Sequence, residues 1–481
     1  MKIYEVGGCV RDTLMNKEPK DIDYVIIDGN HEELIALGYE EVGADFPVYL
    51  HPITKDEHAL ARVERKTGKG YNGFKTETKV NGKFVTLEED LIRRDLTINA
   101  IAYDRENDEY IDPYNGREDL KNKILRPVSD SFIEDPLRFL RLARFASRYP
   151  DFKVDYDALK KLLDDKPDIK QEIRDLTLER VFIELEKVLG EDKPSTFFRV
   201  LKELNLLKLN FPYINDMVGK DQRTKHHAEG DVFEHTMRTL DETCKLTKNT
   251  VSRFAVLIHD LGKPVTYEYM EKKDISEEQF LKEKYYGHDN VDILKDWFEW
   301  FEKNKYPKKY INFGRKAIKY HHTFHKIEAM NPKKITKLFL NKKEFFDNPR
   351  DIQEMIYVAK GDAYGRIISN SNDSDVLTFE ENEQIFKEGT FKKDNGMMYK
   401  KAELIKNVNY NIFLDIFELL KTVNAKEISK TDKYKHENGK VNAEKIKTYL
   451  YDEKLKIVKK YIKQHQDKTN DFYVEVEEFS F

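Results

Sequence analysis

The sequence predicts an α+β fold, with a mixed sheet and its helices first and an all-α remainder behind it. Three observations carry this. The chain opens as an apolar run, Gly7-Gly8, a short amphipathic stretch, Asp21-Ile22-Asp23 and a second apolar run. From residue 137 onward apolar residues recur three and four apart, the period of a helix packed on one side. Histidines then cluster from His226 to His325.

With 481 residues the chain has room for about three domains. Charged residues make up 36% and hydrophobic ones 39%, which implies a strongly solvated surface. No apolar run reaches the roughly 18 residues of a membrane span. The opening MKIYEVGG lacks the apolar core of a signal peptide. Cys9 and Cys244 offer no disulfide framework and fit a reducing cytoplasm. The net charge of −5 argues mildly against a nucleic-acid partner, but local basic stripes decide that question.

In order along the chain, Lys2–Val6 reads as a buried strand. Gly7-Gly8 allows a tight turn and lets a ligand approach the backbone at Gly8. Residues 9–15 read as a short helix whose N-terminus faces that turn and favours phosphate. Arg11 adds a planar cationic fork there. Residues two apart on a strand share a face, so Asp21 and Asp23 set two carboxylates side by side near the glycine turn. Such a pair repels unless a cation neutralises it. Mg²⁺ binds in this way, through one or two carboxylates plus substrate phosphates. Either motif alone is an ordinary turn or a polar strand start; the two in this order describe a nucleotide-transfer palm.

The order resembles the nucleotidyltransferase superfamily of tRNA nucleotidyltransferases (CCA-adding enzymes) and bacterial poly(A) polymerases, most closely the bacterial class II CCA-adding enzymes. Residues 32–37 read as a helix, 42–52 as a strand ending at Pro52, and 59–65 as another strand. Glu64 is either a third carboxylate for the metal or an exposed strand charge. The loop RKTGKGYNGF, 65–74, either closes over a nucleotide or RNA end or is a solvated hairpin. LIRRDLTINA, 91–100, is similar to a nucleotide-contacting motif, and the resemblance implies Arg94 on the triphosphate or ribose side. DPYNGREDL, 112–120, reads as a structural turn, with Asn-Gly supplying positive φ.

Glu134-Asp135-Pro136 makes a good helix entry. Arg138, Arg141, Arg144 and Arg148 follow at spacings that share one face, with Leu137, Leu140 and Ala143 mostly on the other. An arginine stripe is usually a solvated face; beside a phosphate site it becomes a candidate ligand. The resemblance implies that Asp135 and Arg138 read the base edge of incoming CTP or ATP, an acceptor and a donor fork in place of a template. It implies Arg141 and Arg144 on phosphates. Mg²⁺ on Asp21 and Asp23 would then activate the 3′-hydroxyl of a tRNA and steady the leaving pyrophosphate.

Residues 151–212 read as amphipathic packing helices. The helix VLIHDLGKP carries His259-Asp260, with His235 upstream and Asp362 about a hundred residues on. This resembles the HD superfamily of metal-dependent phosphohydrolases. His235, His259, Asp260 and Asp362 are the expected ligands of one metal. His288 and His321 extend the site toward a second metal or the phosphate. Imidazole with carboxylate suits Ni²⁺, Mn²⁺, Fe²⁺ or Mg²⁺. A class II head followed by an HD domain is the arrangement of proteobacterial multifunctional CCA proteins, which implies phosphatase, 2′-nucleotidase and 2′,3′-cyclic phosphodiesterase activities.

The expected domains are a nucleotidyltransferase head at 1–125, a helical neck and body at 126–222, an HD domain at 223–366 and a helical extension at 367–481. A lysine-rich and acidic insertion before Gly287 lengthens the expected loop to His288. AELIKNV, NIFLDIFELLKTV and EKLKIVKKYIKQH read as amphipathic helices that either grip tRNA or pack on the HD domain. The expected partners are the tRNA 3′ end, CTP and ATP, with no membrane, for a monomer or homodimer. Two other readings stay open: a poly(A) polymerase or partial CC- or A-adding enzyme, and an HD hydrolase with a non-catalytic RNA-binding head.

Overall fold

The two opening apolar runs pair as antiparallel strands, β1 (Lys2–Val6) and β2 (Asp23–Ile27), with Val6 opposite Asp23. That register sets Asp23 at the strand end beside the Gly7 turn. The computed structural model describes residues 1–43, 47–66, 74–222, 227–327, 330–340, 345–369, 377, 379–393, 397–401, 410–423 and 443–469. The chain divides into two compact units, Met1–Pro212 and Tyr213–Phe481.

In the first unit, β3 (Glu40–Val42), β4 (Val48–Leu50), β5 (Glu57–Leu60), β6 (Ala102–Asp104) and β7 (Glu109–Ile111) complete a sheet of order β7-β6-β1-β2-β5-β4-β3. Only β2 and β5 are parallel among its pairs, so the sheet is mixed as expected. Side chains alternate between its faces. Tyr4, Val6, Val25 and Ile27 join Leu87, Leu91 and Ala102 in one core. Ile26 and Leu60 join Leu34, Tyr39 and Tyr49 in another.

Two expected strands are shorter than predicted. The run 42–52 is interrupted after Gly43, whose φ of 88° turns the chain out of extended backbone. The run 59–65 breaks after Leu60: Arg62 N–H is drawn to the Asp90 carboxylate, and Val63–Lys66 pairs instead with Phe74–Glu77. The side chain of Glu64 and residues 67–73 of the basic loop lie outside what the structure describes.

Helix α1 (Gly8–Leu14) follows the glycine turn, with Gly7 at φ 80° as its cap. The arginine helix is α2 (Leu137–Arg148), held by α3 (Leu178–Gly190) and α4 (Ser195–Glu203). Its expected division into a polar and an apolar face does not hold. Arg138 and Arg144 are buried along with its leucines and phenylalanines, because other elements cover both faces.

The second unit is built on α5 (Val232–Leu246), α6 (Thr250–Leu257), α7 (Gly262–Glu271), α8 (Lys308–His325) and α9 (Pro349–Tyr364). Helix α5 packs on α9 and α6, and α6 on α8. His259 and Asp260, expected on a helix, lie in the turn between α6 and α7. The insertion before His288, expected as a lengthened loop, folds as α7 and the helix Glu277–Glu283.

Beyond residue 366 the expected all-helical extension contains a three-stranded sheet of Ile367–Ser369, Met398–Lys401 and Thr390–Lys392. Such short strands are too brief for alternation to show. Helices Phe379–Glu388, α10 (Ile412–Lys421) and Ala443–Thr469 accompany it. AELIKNV lies outside the described residues. Ile367, Ile385 and Tyr399 bury against Ala228, and α10 packs on α9, so this part packs on the HD helices. Among the described residues no helix is long and apolar enough to cross a membrane.

Candidate functional site

The glycine turn, the Arg93-Arg94-Asp95 segment and the start of α2 enclose a cavity of about 360 Å³ lined by Gly7, Gly8, Arg11, Asp23, Asp135, Arg138 and Arg141 among others. A Cβ on Gly7 would come within 3.0 Å of Arg94 Nη1, so the turn must lack a side chain for the arginine to stand there. Asp23 is exposed by surface area, yet it stands among the cavity walls. Crowding by protein raises its carboxyl, Arg94 opposes, and Asp21 raises it further. Asp21 itself is exposed, just before β2.

The cationic wall is held rigid by acids beneath it. Asp90 is fully buried and accepts from Arg93 Nη2 at 2.6 Å and Arg94 Nη2 at 3.2 Å. Arg94 Nε is buried without a hydrogen-bond partner among the described residues. Asp95 accepts from Arg141 Nη2 at 2.7 Å, Arg141 Nε at 3.0 Å and Asn99 Nδ2 at 2.8 Å. Burial works to raise its carboxyl; Arg141 and Asn99 override it and hold it at about 2. Arg11 donates to Asp12 and, at 2.6 Å, to Asn99 Oδ1. Arg138 donates to the carbonyls of Ser131 at 2.8 Å and Arg93 at 2.6 Å. Asp135 accepts from Arg180 at 3.1 Å and from the Leu137 N–H, the first of α2.

In the second unit, three helices and two connecting segments converge on a buried histidine–aspartate centre. His235 comes from α5, His259 and Asp260 from the α6–α7 turn, His321 and His322 from α8, and Asp362 from α9. His288 follows the helical insertion and is brought in where an added Cβ on Gly262 would strike its carbonyl at 1.9 Å. The Nδ1 atoms are tied back: His259 to Val256 O at 2.6 Å, His288 to Tyr285 O at 2.7 Å, His321 to Ile318 O at 2.8 Å and His235 to Glu229 Oε1 at 2.8 Å. A carbonyl or carboxylate partner requires Nδ1 to carry the proton, which leaves Nε2 a bare acceptor pointing inward.

Those bare nitrogens face carboxylate oxygens. His235 Nε2 is 3.1 Å from Asp362 Oδ1, His259 Nε2 is 3.3 Å from Asp260 Oδ2, and His288 Nε2 is 3.4 Å from Asp260 Oδ1. His259, His288 and His321 Nε2 have no hydrogen bond of acceptable angle. Acceptors facing acceptors in a buried space fit a cation between them. Ligand atoms of His235, His259 and Asp362 lie within 4.8 Å of one another, as do those of His288, His321 and His322. Burial works to lower the His259 imidazole, and Asp260 and Asp362 outweigh it and raise it to about 10, so with no metal ion between them a proton on Nε2 takes the cation's place and a metal must displace it.

Three families match in succession. Residues 3–126 match the poly A polymerase head domain, 152–218 the probable RNA and SrmB-binding site of polymerase A, and 232–367 the HD domain. The multifunctional CCA protein of Mannheimia succiniciproducens is 42% identical over 373 residues, 76% of this chain and 84% of that one. This chain belongs to the multifunctional CCA protein family. The multifunctional CCA protein of Shewanella frigidimarina is also 42% identical, over 370 residues. A solved CCA-adding enzyme, in an apo form, is 21% identical, over 87% of this chain and 86% of that one, with a TM-score of 0.49.

In this multifunctional CCA family chain, Gly8, Arg11, Asp23, Arg94, Asp135, Arg138 and Arg141 share one cavity. Asp21 and Arg144 are not in its lining; Arg144 instead donates to Glu184 of α3 at 2.6 Å. His235, His259, Asp260, His288, His321 and Asp362 converge in the second unit. Sequence reasoning missed the supports. Asp90 and Asp95 hold the arginines, and Glu229 holds His235. Lys263 lies 2.6 Å from Asp260 Oδ2, and Arg366 donates to Asp362 at 2.8 Å. Asp95 and Lys263 stood inside motifs already read, LIRRD and HDLGK. Glu229 gave no such signal.

Proposed function

We propose that this chain adds C, C and A to the 3′ end of tRNA from CTP and ATP, without a nucleic-acid template, and hydrolyses phosphate esters at its histidine–aspartate centre. The observation that carries this is the 42% identity to a multifunctional CCA protein over 84% of that protein. The hydrolytic repertoire is that of a phosphatase, 2′-nucleotidase and 2′,3′-cyclic phosphodiesterase.

Asp21 and Asp23 would hold Mg²⁺, whose chemistry is to sharpen a hydroxyl nucleophile and neutralise the leaving pyrophosphate. Arg94, with its unpartnered Nε, and Arg11 line the triphosphate side. Arg138 presents its guanidinium at an angle set by two main-chain carbonyls, and Asp135 stands beside it as the acceptor for the base edge. Arg141 contributes charge to the same wall. In the second unit His235, His259, Asp260 and Asp362 would hold one metal, and Asp260, His288 and His321, with His322, a second. The imidazole-rich set suits Mn²⁺, Fe²⁺ or Ni²⁺ better than Mg²⁺. Such an ion supplies a hydroxide at neutral pH.

The test is incorporation into a tRNA transcript lacking its last three bases, with Mg²⁺ and CTP, ATP or both. Two additions from CTP and a single A only after them, lost in Asp21→Ala/Asp23→Ala, is the expected result. A long A tail from ATP alone would move the reading to a poly(A) polymerase. No incorporation by folded protein would leave the hydrolase as the working centre.

A further inference from the structure

The HD family match ends at residue 367, yet one contact to the centre comes from beyond it. His325, the last residue of α8, places Nε2 2.6 Å from Asp362 Oδ2. Its Nδ1 is 3.1 Å from the hydroxyl of Tyr410. Tyr410 is 4% exposed and stands just before α10. Phe413 of α10 stacks on Phe324 with centroids 3.8 Å apart and planes at 14°. The neighbours Phe324 and His325 are therefore both engaged by the α10 region.

The proton arrangement sets His325 apart from the other histidines. A carboxylate only accepts, so His325 must carry its proton on Nε2 to bond Asp362. Its Nδ1 is then an acceptor and takes the Tyr410 hydroxyl proton. The histidines facing the centre are the opposite tautomer, with Nδ1 protonated and Nε2 bare. His325 thus offers Asp362 a donor, which suits a support and not a ligand. Arg366 gives the same carboxylate a second donor, at 2.8 Å to Oδ2 and 3.3 Å to Oδ1. Between them His325 and Arg366 fix the rotation of a side chain whose Oδ1 faces His235.

We propose that His325 and Tyr410 are positioning residues for the histidine–aspartate centre, and that the chain beyond the family match is a working part of the hydrolase site. Asp362 fixes the His325 tautomer, Tyr410 holds the ring in place by donating to its Nδ1, and His325 in turn orients Asp362 for the metal. This rests on the reading of that centre as a metal site. Removing the hydroxyl leaves Nδ1 without its donor and frees the ring to turn, which loosens the bond from Nε2 to Asp362.

The test is isothermal titration of the full chain with Mn²⁺, together with hydrolysis of bis-p-nitrophenyl phosphate at several Mn²⁺ concentrations. Outer supports of metal ligands typically carry about ten-fold or more in affinity. Tyr410→Phe and His325→Ala are expected to weaken Mn²⁺ binding about ten-fold. His325→Gln, whose amide can still donate to Asp362, is expected to recover part of it. Melting temperature and nucleotide incorporation should be unchanged in Tyr410→Phe. Wild-type Mn²⁺ affinity in both Tyr410→Phe and His325→Ala would overturn the proposal. So would weaker binding that comes with a lower melting temperature in Tyr410→Phe, because the hydroxyl would then be serving the fold. Absence of Mn²⁺ binding by the unmodified chain would instead overturn the metal-site reading beneath it.

Discussion

At the scale of residues, the cavity of the first unit is lined by cations, several of them positioned by buried acids. Asp95 shows how strongly. Its carboxyl sits at about 2 in the folded chain against an ordinary 3.8. Between those values the unfolded chain binds more protons, so stability rises with pH there and is fully present above the ordinary value. The difference corresponds to about 2 kcal/mol. Asp95→Asn is therefore expected to lower stability to urea by about that amount at pH 7. The gap between mutant and parent should close as pH falls toward 2. A gap independent of pH would mean that the Asp95–Arg141 ion pair is not its source. The same residue orients Arg141, so nucleotide KM should rise in the variant.

At the scale of elements, two helices are tied by pairs that the stripe pattern does not show. Arg144 and Glu184 join α2 to α3 with both side chains largely buried, at 11% and 3% exposure. Breaking a buried pair from one side leaves the other charge stranded, at about 3 kcal/mol or more. Arg144→Ala is thus expected to lower stability by that order and to leave the choice between CTP and ATP unchanged. A raised KM for both CTP and ATP at normal stability would restore the phosphate role expected from the sequence. In the second unit, α7 begins so close to His288 that Gly262 has no room for a side chain. Gly262→Ala should displace His288 and reduce hydrolysis and metal content, with CCA addition retained. Retained hydrolysis with normal metal content would show that His288 is dispensable.

At the scale of the molecule, the two chemistries fall in separate compact units, each with its own core and its own set of acids. Their activities should be separable. His259→Ala is expected to abolish phosphate-ester hydrolysis and leave nucleotide incorporation intact, and Asp23→Ala the reverse. Exhaustive chelation should stop both, with Mg²⁺ restoring incorporation and Mn²⁺ restoring hydrolysis. Loss of both activities in either single variant would show that the two units depend on each other.

Much of this could be read from the chain because the chemistry there is local. Strand, glycine pair, helix and carboxylates occur within 27 residues, so periodicity and turn chemistry place Gly8, Arg11 and Asp23 together. The histidine spacing likewise marked six residues that the structure brings to one centre. What was not legible is what depends on distant partners. Arg138 and Arg144 sit on one predicted stripe, and only packing sends the first to the cavity wall and the second to Glu184. Asp90 and Glu229 look like any other acids until the fold buries them against arginines and histidines. The sequence by itself determined the fold class, the order of the two units and which residues to expect together, since these follow from residue type and short spacing. Only the tertiary structure decided which charges are spent on support and which line the cavity, because a charge's place is set by the partners and the burial that distant segments provide.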